Sequence, residues 1–150
     1  MQANRQAGFT LAELVVSLSI IALLVGGAVY GFQSYARYQE YEQTVAGVLG
    51  TLQQARVEAR AADSGGAYGV HLEANRIVTF VGVSYNAAAA SNQVYNFQNV
   101  TLTLALTGAA TNIIFEPLTG RPNVSGTITL AGRLHSATTT VTISGSGVIQ

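Results

Sequence analysis

The sequence predicts an α+β protein: one long N-terminal helix, membrane-spanning in its first half, packed on a C-terminal antiparallel β-sheet or sandwich domain. Three observations predict it. The segment from Leu14 to Phe32 carries no charge and is almost wholly apolar, and proline is absent until Pro117. The apolar spacing then becomes helical and amphipathic, with Asp63-Ser64-Gly65-Gly66 as the stop signal. Beyond Gly66 the pattern turns to short alternating runs rich in Thr, Val, Ile and Gly, the composition of strands and turns.

Taken in order, residues 1–8 form a polar leader whose only charge is Arg5. Residues 9–36 form the apolar half of the helix, long enough for a bilayer, which needs about 20 residues. Arg37 closes this span, and with Arg5 on its other side the positive charges orient it only weakly. Gly26-Gly27 and Gly31 are permissive points, suited either to local melting or to close packing between helices. Tyr35, Tyr38 and Tyr41 fall where the helix leaves the bilayer, as an interfacial belt or as packing against the sheet.

Residues 37–66 hold the amphipathic half. Tyr38, Tyr41, Val45, Val48, Leu52, Ala55 and Ala59 recur at spacings of three and four and form one stripe to pack on the domain. Arg56, Glu58 and Arg60 are either partners for a neighbouring molecule or a solvated helix end. Residues 67–150 form the β-domain. Ala67 to Glu73 and Arg76 to Val83 flank the turn Ala74-Asn75 as a hairpin. Further strands are expected at Val94 to Phe97, Val100 to Leu106, Asn112 to Glu116, Gly126 to Ala131 and Thr138 to Ser144, with a short last one at Val148. Pro117-Leu118-Thr119-Gly120 reads as a tight turn and Asn86 to Asn92 as an exposed loop.

Composition excludes several classes. The formal net charge is +0, with 9% charged residues, which is neither a nucleic-acid-binding balance nor an acidic tail. There is no cysteine, so the domain holds together without disulfides. His71 and His135 are the only histidines and lack companions at metal-ligand spacing; His71 alternates with Val70 and Leu72 as a solvent-side strand residue. Asp63 is the only aspartate, which disfavours a calcium loop. No cofactor, metal or enzymatic activity is expected.

The chemistry-bearing feature is Gly8-Phe9-Thr10-Leu11-Ala12-Glu13. Glu13 stands just inside the span, where an ionised carboxylate is costly and needs a partner. A secretory signal peptide places its small residues after the apolar core, whereas Gly8 precedes it. This pattern resembles the leader of type IV pilins and pseudopilins. The resemblance implies cleavage by a prepilin peptidase between Gly8 and Phe9, N-methylation of Phe9, and a cytoplasmic leader. The new amine at Phe9 would then neutralise Glu13 of a neighbouring subunit, turning two isolated charges into a pair. Without the leader, six arginines face seven acids, a balance of −1.

Two later segments narrow the resemblance. Leu52-Gln53-Gln54-Ala55-Arg56-Val57-Glu58-Ala59-Arg60 and Ile114-Phe115-Glu116-Pro117-Leu118-Thr119-Gly120-Arg121 are similar to the helix end and the strand and turn of the GspH/FimT group of minor pilins and pseudopilins. That implies a filament subunit of a type IV pilus or a type II secretion pseudopilus, held as a single-pass protein of the cytoplasmic (inner) membrane before assembly. Its C-terminal domain would be periplasmic or extracellular. The implied partners are other pilin or pseudopilin subunits, the prepilin peptidase, the inner-membrane assembly platform and, before assembly, lipid. The alternatives are a major pilin, or a competence minor pilin that binds DNA for uptake. DNA is disfavoured as a partner, because Ser144 to Gln150 carries no base and phosphate binding needs clustered cations.

Overall fold

A computed structural model describes residues 9–61, 66–133 and 136–150 of the chain. The leader, the helix stop signal from Asp63 to Gly65, and His135 lie outside the described residues. The protein is α+β: helix α1 (Leu11–Ala61) precedes strands β1 (Tyr68–Leu72), β2 (Arg76–Val81), β3 (Gln93–Asn96), β4 (Val100–Leu106), β5 (Asn112–Phe115), β6 (Gly126–Gly132) and β7 (Thr138–Ile143). The chain divides between Ala36 and Arg37 into two units.

In the first unit α1 passes through Gly26, Gly27 and Gly31 without a break, and nothing beyond the adjoining residues and helix backbone comes within 4 Å of their Cβ positions. Of the described helices, α1 alone is long and apolar enough to cross a membrane; its most apolar window has a mean hydropathy of 2.2 and none of it is buried. Ser19 gives its hydroxyl to the carbonyl of Val15 at 2.8 Å, so this polar group needs no water in an apolar surrounding.

The second unit contains two antiparallel sheets, ordered β3-β2-β1-β5 and β4-β6-β7. The β1–β2 hairpin pairs Leu72 with Ile77, and its turn ties the sheets together, since Leu102 N–H of β4 donates to the Ala74 carbonyl, while Phe97 N–H to Asn75 continues the β2–β3 pairing. Residues after β7 return along it, with Thr142 and Gln150 exchanging backbone hydrogen bonds and Ile143 bridging Ile149. The short last strand expected at Val148 is therefore a bridge one residue further on.

The core lies between the C-terminal half of α1 and the inner faces of the sheets. Tyr41, Val48, Leu52, Ala55 and Ala59 are buried there with Val70, Ile77, Ile113, Phe115, Ile128, Leu130, Val141 and Ile143. The expected stripe needs two corrections. Tyr38 is 48% exposed, and a buried Thr44 joins the stripe beside Val45, which is partly buried against the same core. A buried threonine is tolerated because its hydroxyl donates to the Glu40 carbonyl at 2.9 Å. The Tyr41 hydroxyl lies 2.7 Å from Thr139 Oγ1, so this buried phenol also has a partner.

The outward face of the three-stranded sheet carries Thr101, Thr103, Thr127, Thr129, Thr140 and Thr142, in register across β4, β6 and β7. Threonine suits a pleated, half-solvated surface, which accounts for the alternation seen in the sequence. The outward face of the four-stranded sheet is different. His71 is not solvent-side: its ring stacks on Tyr85 with centroids 4.0 Å apart, and its side chain is only 16% exposed. Phe80 sits beside the same tyrosine, so the chain after β2 folds back to roof this face.

Beneath that roof His71 Nδ1 meets Asn112 Oδ1 at 2.6 Å and Nε2 lies 3.4 Å from Glu73. Arg76 holds Glu73 through two hydrogen bonds, of 2.8 and 2.7 Å, and this bond depresses the Glu73 carboxyl below its usual pKa. A depressed carboxyl stabilises the fold above its unfolded pKa of about 4.3, and that contribution disappears as pH falls through the folded value. Both groups are about one-third exposed or more, so the contribution is that of a screened surface pair. Arg76→Ala should lower stability slightly at pH 7 and by less as the pH falls toward 2.5, as read by urea unfolding at the two pH values.

Candidate assembly site at the start of the apolar helix

The first turn of α1 is built around Thr10 and Glu13. Thr10 precedes the first helical residue, and its hydroxyl oxygen accepts the Glu13 N–H at 3.2 Å. Glu13 Oε2 reaches back and accepts both the Thr10 N–H at 3.1 Å and the Thr10 hydroxyl at 3.0 Å. This reciprocal arrangement is a capping box, which satisfies donors that a helix start otherwise leaves open. A carboxylate at this position also lies at the positive end of the helix dipole.

The box changes what Glu13 is. The acid has partners within its own chain, and its carboxylate is directed toward the backbone of Thr10, next to Phe9. Thr10 is the partner within the chain that a reading of Glu13 as a lone acid omits. Its signal was present, since Thr-x-x-Glu before an apolar run is a capping-box pattern. Phe9 is 87% exposed and Leu11 82%, so an apolar collar surrounds this polar turn. Gly8, the expected cleavage position, lies outside the described residues. His71, the other polar residue singled out in the sequence, is placed elsewhere, in the four-stranded sheet.

Comparison with known families bears on this turn directly. The prokaryotic N-terminal methylation motif matches residues 3–29, a stretch that contains Gly8, Phe9, Thr10 and Glu13 and most of the apolar run. The match supports a type IV pilin-like protein. No curated protein and no solved structure matches the chain significantly.

The motif accounts for two features of the pilin-like chain at once. Its apolar helix surface, bare from Leu11 through Phe32, fits a membrane anchor. The same surface fits assembly with other pilin subunits, because helices that leave lipid bury their apolar sides against one another. The motif also implies a prepilin peptidase and methylation at the N-terminus in general terms.

Proposed function

We propose that the chain is a structural filament subunit, a minor pilin or pseudopilin of the GspH/FimT kind, and not an enzyme. It is stored in the cytoplasmic membrane with its β-domain exported, cut after Gly8, methylated on Phe9, and drawn by an inner-membrane assembly platform into a type IV pilus or type II secretion pseudopilus. The observation that carries this is the methylation motif spanning residues 3–29 with Glu13 poised at the helix start.

The capping box refines the mechanism. Glu13 is held with its carboxylate toward the chain start, beside the position where cleavage would expose the Phe9 amine. An acceptor already fixed in place loses little rotamer freedom on binding a neighbour's amine. A carboxylate that takes two donors from Thr10 still has free lone pairs for that third one.

The GspH/FimT assignment draws support from packing. The Leu118 N–H donates to the Ala59 carbonyl at 3.0 Å, so the turn after β5 caps the C-terminal end of α1. The two sequence segments similar to that group therefore meet in space. Mass spectrometry of the N-terminus tests the proposal: chain recovered from filaments should begin at a methylated Phe9. Chain that keeps residues 1–8 in cells with an active prepilin peptidase would refute it.

A further inference from the structure

At the end of α1 a cleft of about 240 Å³ is lined by Gln53, Arg56, Val57, Arg60 and Ile149. Two loops press on its arginines. Gly120 and Gly147 both have positive φ, 63° and 87°. A Cβ at Gly147 would lie 3.0 Å from Arg56 Nε and Nη2, and one at Gly120 would meet the Arg60 stem at 2.5 Å. The backbone thus packs directly against these side chains and positions them. Arg56 Nε is buried and has no hydrogen-bond partner. Among the described residues neither Arg56 nor Arg60 joins an ion pair; the pairs present are those of Glu73 with His71 and Arg76.

We propose that this cleft receives an acidic side chain from a second copy of the chain; the inference rests on the filament-subunit proposal above. Arg60 is exposed at the cleft and Arg56 half-buried, so a carboxylate that enters meets two guanidinium groups which, among the described residues, have no acidic partner. Guanidinium matches a carboxylate in plane and charge, and the walls made by Val57 and Ile149 suit the methylene stem of a glutamate. The volume holds one side chain. A phosphate backbone would need more than two cations in a chain whose balance without the leader is −1.

Charge complementarity identifies the donor. Glu40 and Glu42, about four turns back along α1 from Arg56, are exposed on this same chain and, among the described residues, form no ion pair. Acceptor and donor patches are distinct, so the contact is head-to-tail and does not close on itself, which is the geometry of an open filament.

The test places the photocrosslinker p-benzoyl-phenylalanine in the full chain in place of Val57, which lines the cleft and is 62% exposed, and irradiates assembled filaments. A two-chain adduct should form and map within about four residues, one helical turn, of Glu40 or Glu42. Arg56→Gln should lower its yield roughly tenfold, with partial recovery in Arg56→Lys. Arg60→Gln, at an exposed position, repeats the test if Arg56→Gln does not fold. Filaments that give no such adduct, an adduct that maps elsewhere, or one indifferent to both substitutions would overturn the proposal. A nuclease-sensitive adduct would overturn it in favour of nucleic-acid phosphate. Failure of the unmodified chain to enter filaments would instead refute the filament subunit itself.

Discussion

Glu13→Ala should leave the chain in the membrane at an undiminished level and lower its incorporation into filaments by about 100-fold or more. The magnitude follows from leaving a neighbour's Phe9 amine unpaired in an apolar core, where removing one partner of a buried pair costs about 3–5 kcal/mol, and about 1.4 kcal/mol corresponds to tenfold. Membrane insertion does not suffer, because alanine removes a charge that lipid disfavours. The measurement is the ratio of chain in sheared filaments to chain in membranes.

Thr10→Val separates the cap that the structure shows for this acid from the registration role proposed for it. It removes the hydroxyl that accepts the Glu13 N–H and donates to Oε2, while keeping the carboxylate itself. Loss of a cap costs about 1 kcal/mol, so incorporation should fall by less than about tenfold. If Thr10→Val is as damaging as Glu13→Ala, Glu13 works as a helix cap and the registration role fails.

Leu52→Ala should be strongly destabilising among truncations on the helix face that packs on the sheets. Leu52 is fully buried and belongs to the cluster that joins α1 to both sheets. Truncating a leucine there removes its transfer energy and leaves a cavity, together about 2–5 kcal/mol. In a domain of this size the midpoint of thermal unfolding should drop by roughly 8–20 °C, followed by circular dichroism on detergent-solubilised chain. Val57→Ala, at a site 62% exposed, should shift stability by no more than about 0.5 kcal/mol. Equal effects at the two positions would mean that α1 does not present this face to the core.

Much of the fold was legible because its signals are local. The strand Val100–Leu106 has the bounds that its alternation predicts, and the hairpin turns at Ala74-Asn75 as its composition indicates. The buried positions Tyr41, Val48, Leu52, Ala55 and Ala59 follow from helical spacing alone. Thr44 escaped that pattern because apolar periodicity takes no account of a hydroxyl satisfied by its own helix. At the assembly site, Glu13 was found through its charge in an apolar setting. Its tie to Thr10 is equally local, a Thr-x-x-Glu spacing that charge alone does not reveal.

What the sequence determined by itself is what period, charge and chain punctuation specify over a few residues: one helix with an apolar first half, short antiparallel strands, and the Gly8 to Glu13 signature. Tertiary structure decided the rest. It joined β5 to β1 across three intervening strands of the chain, roofed His71 with Tyr85, and set the Gly120 and Gly147 loops against Arg56. These contacts join residues far apart in the chain. They depend on which faces bury the most apolar surface once all elements are present, and a local pattern does not contain that information.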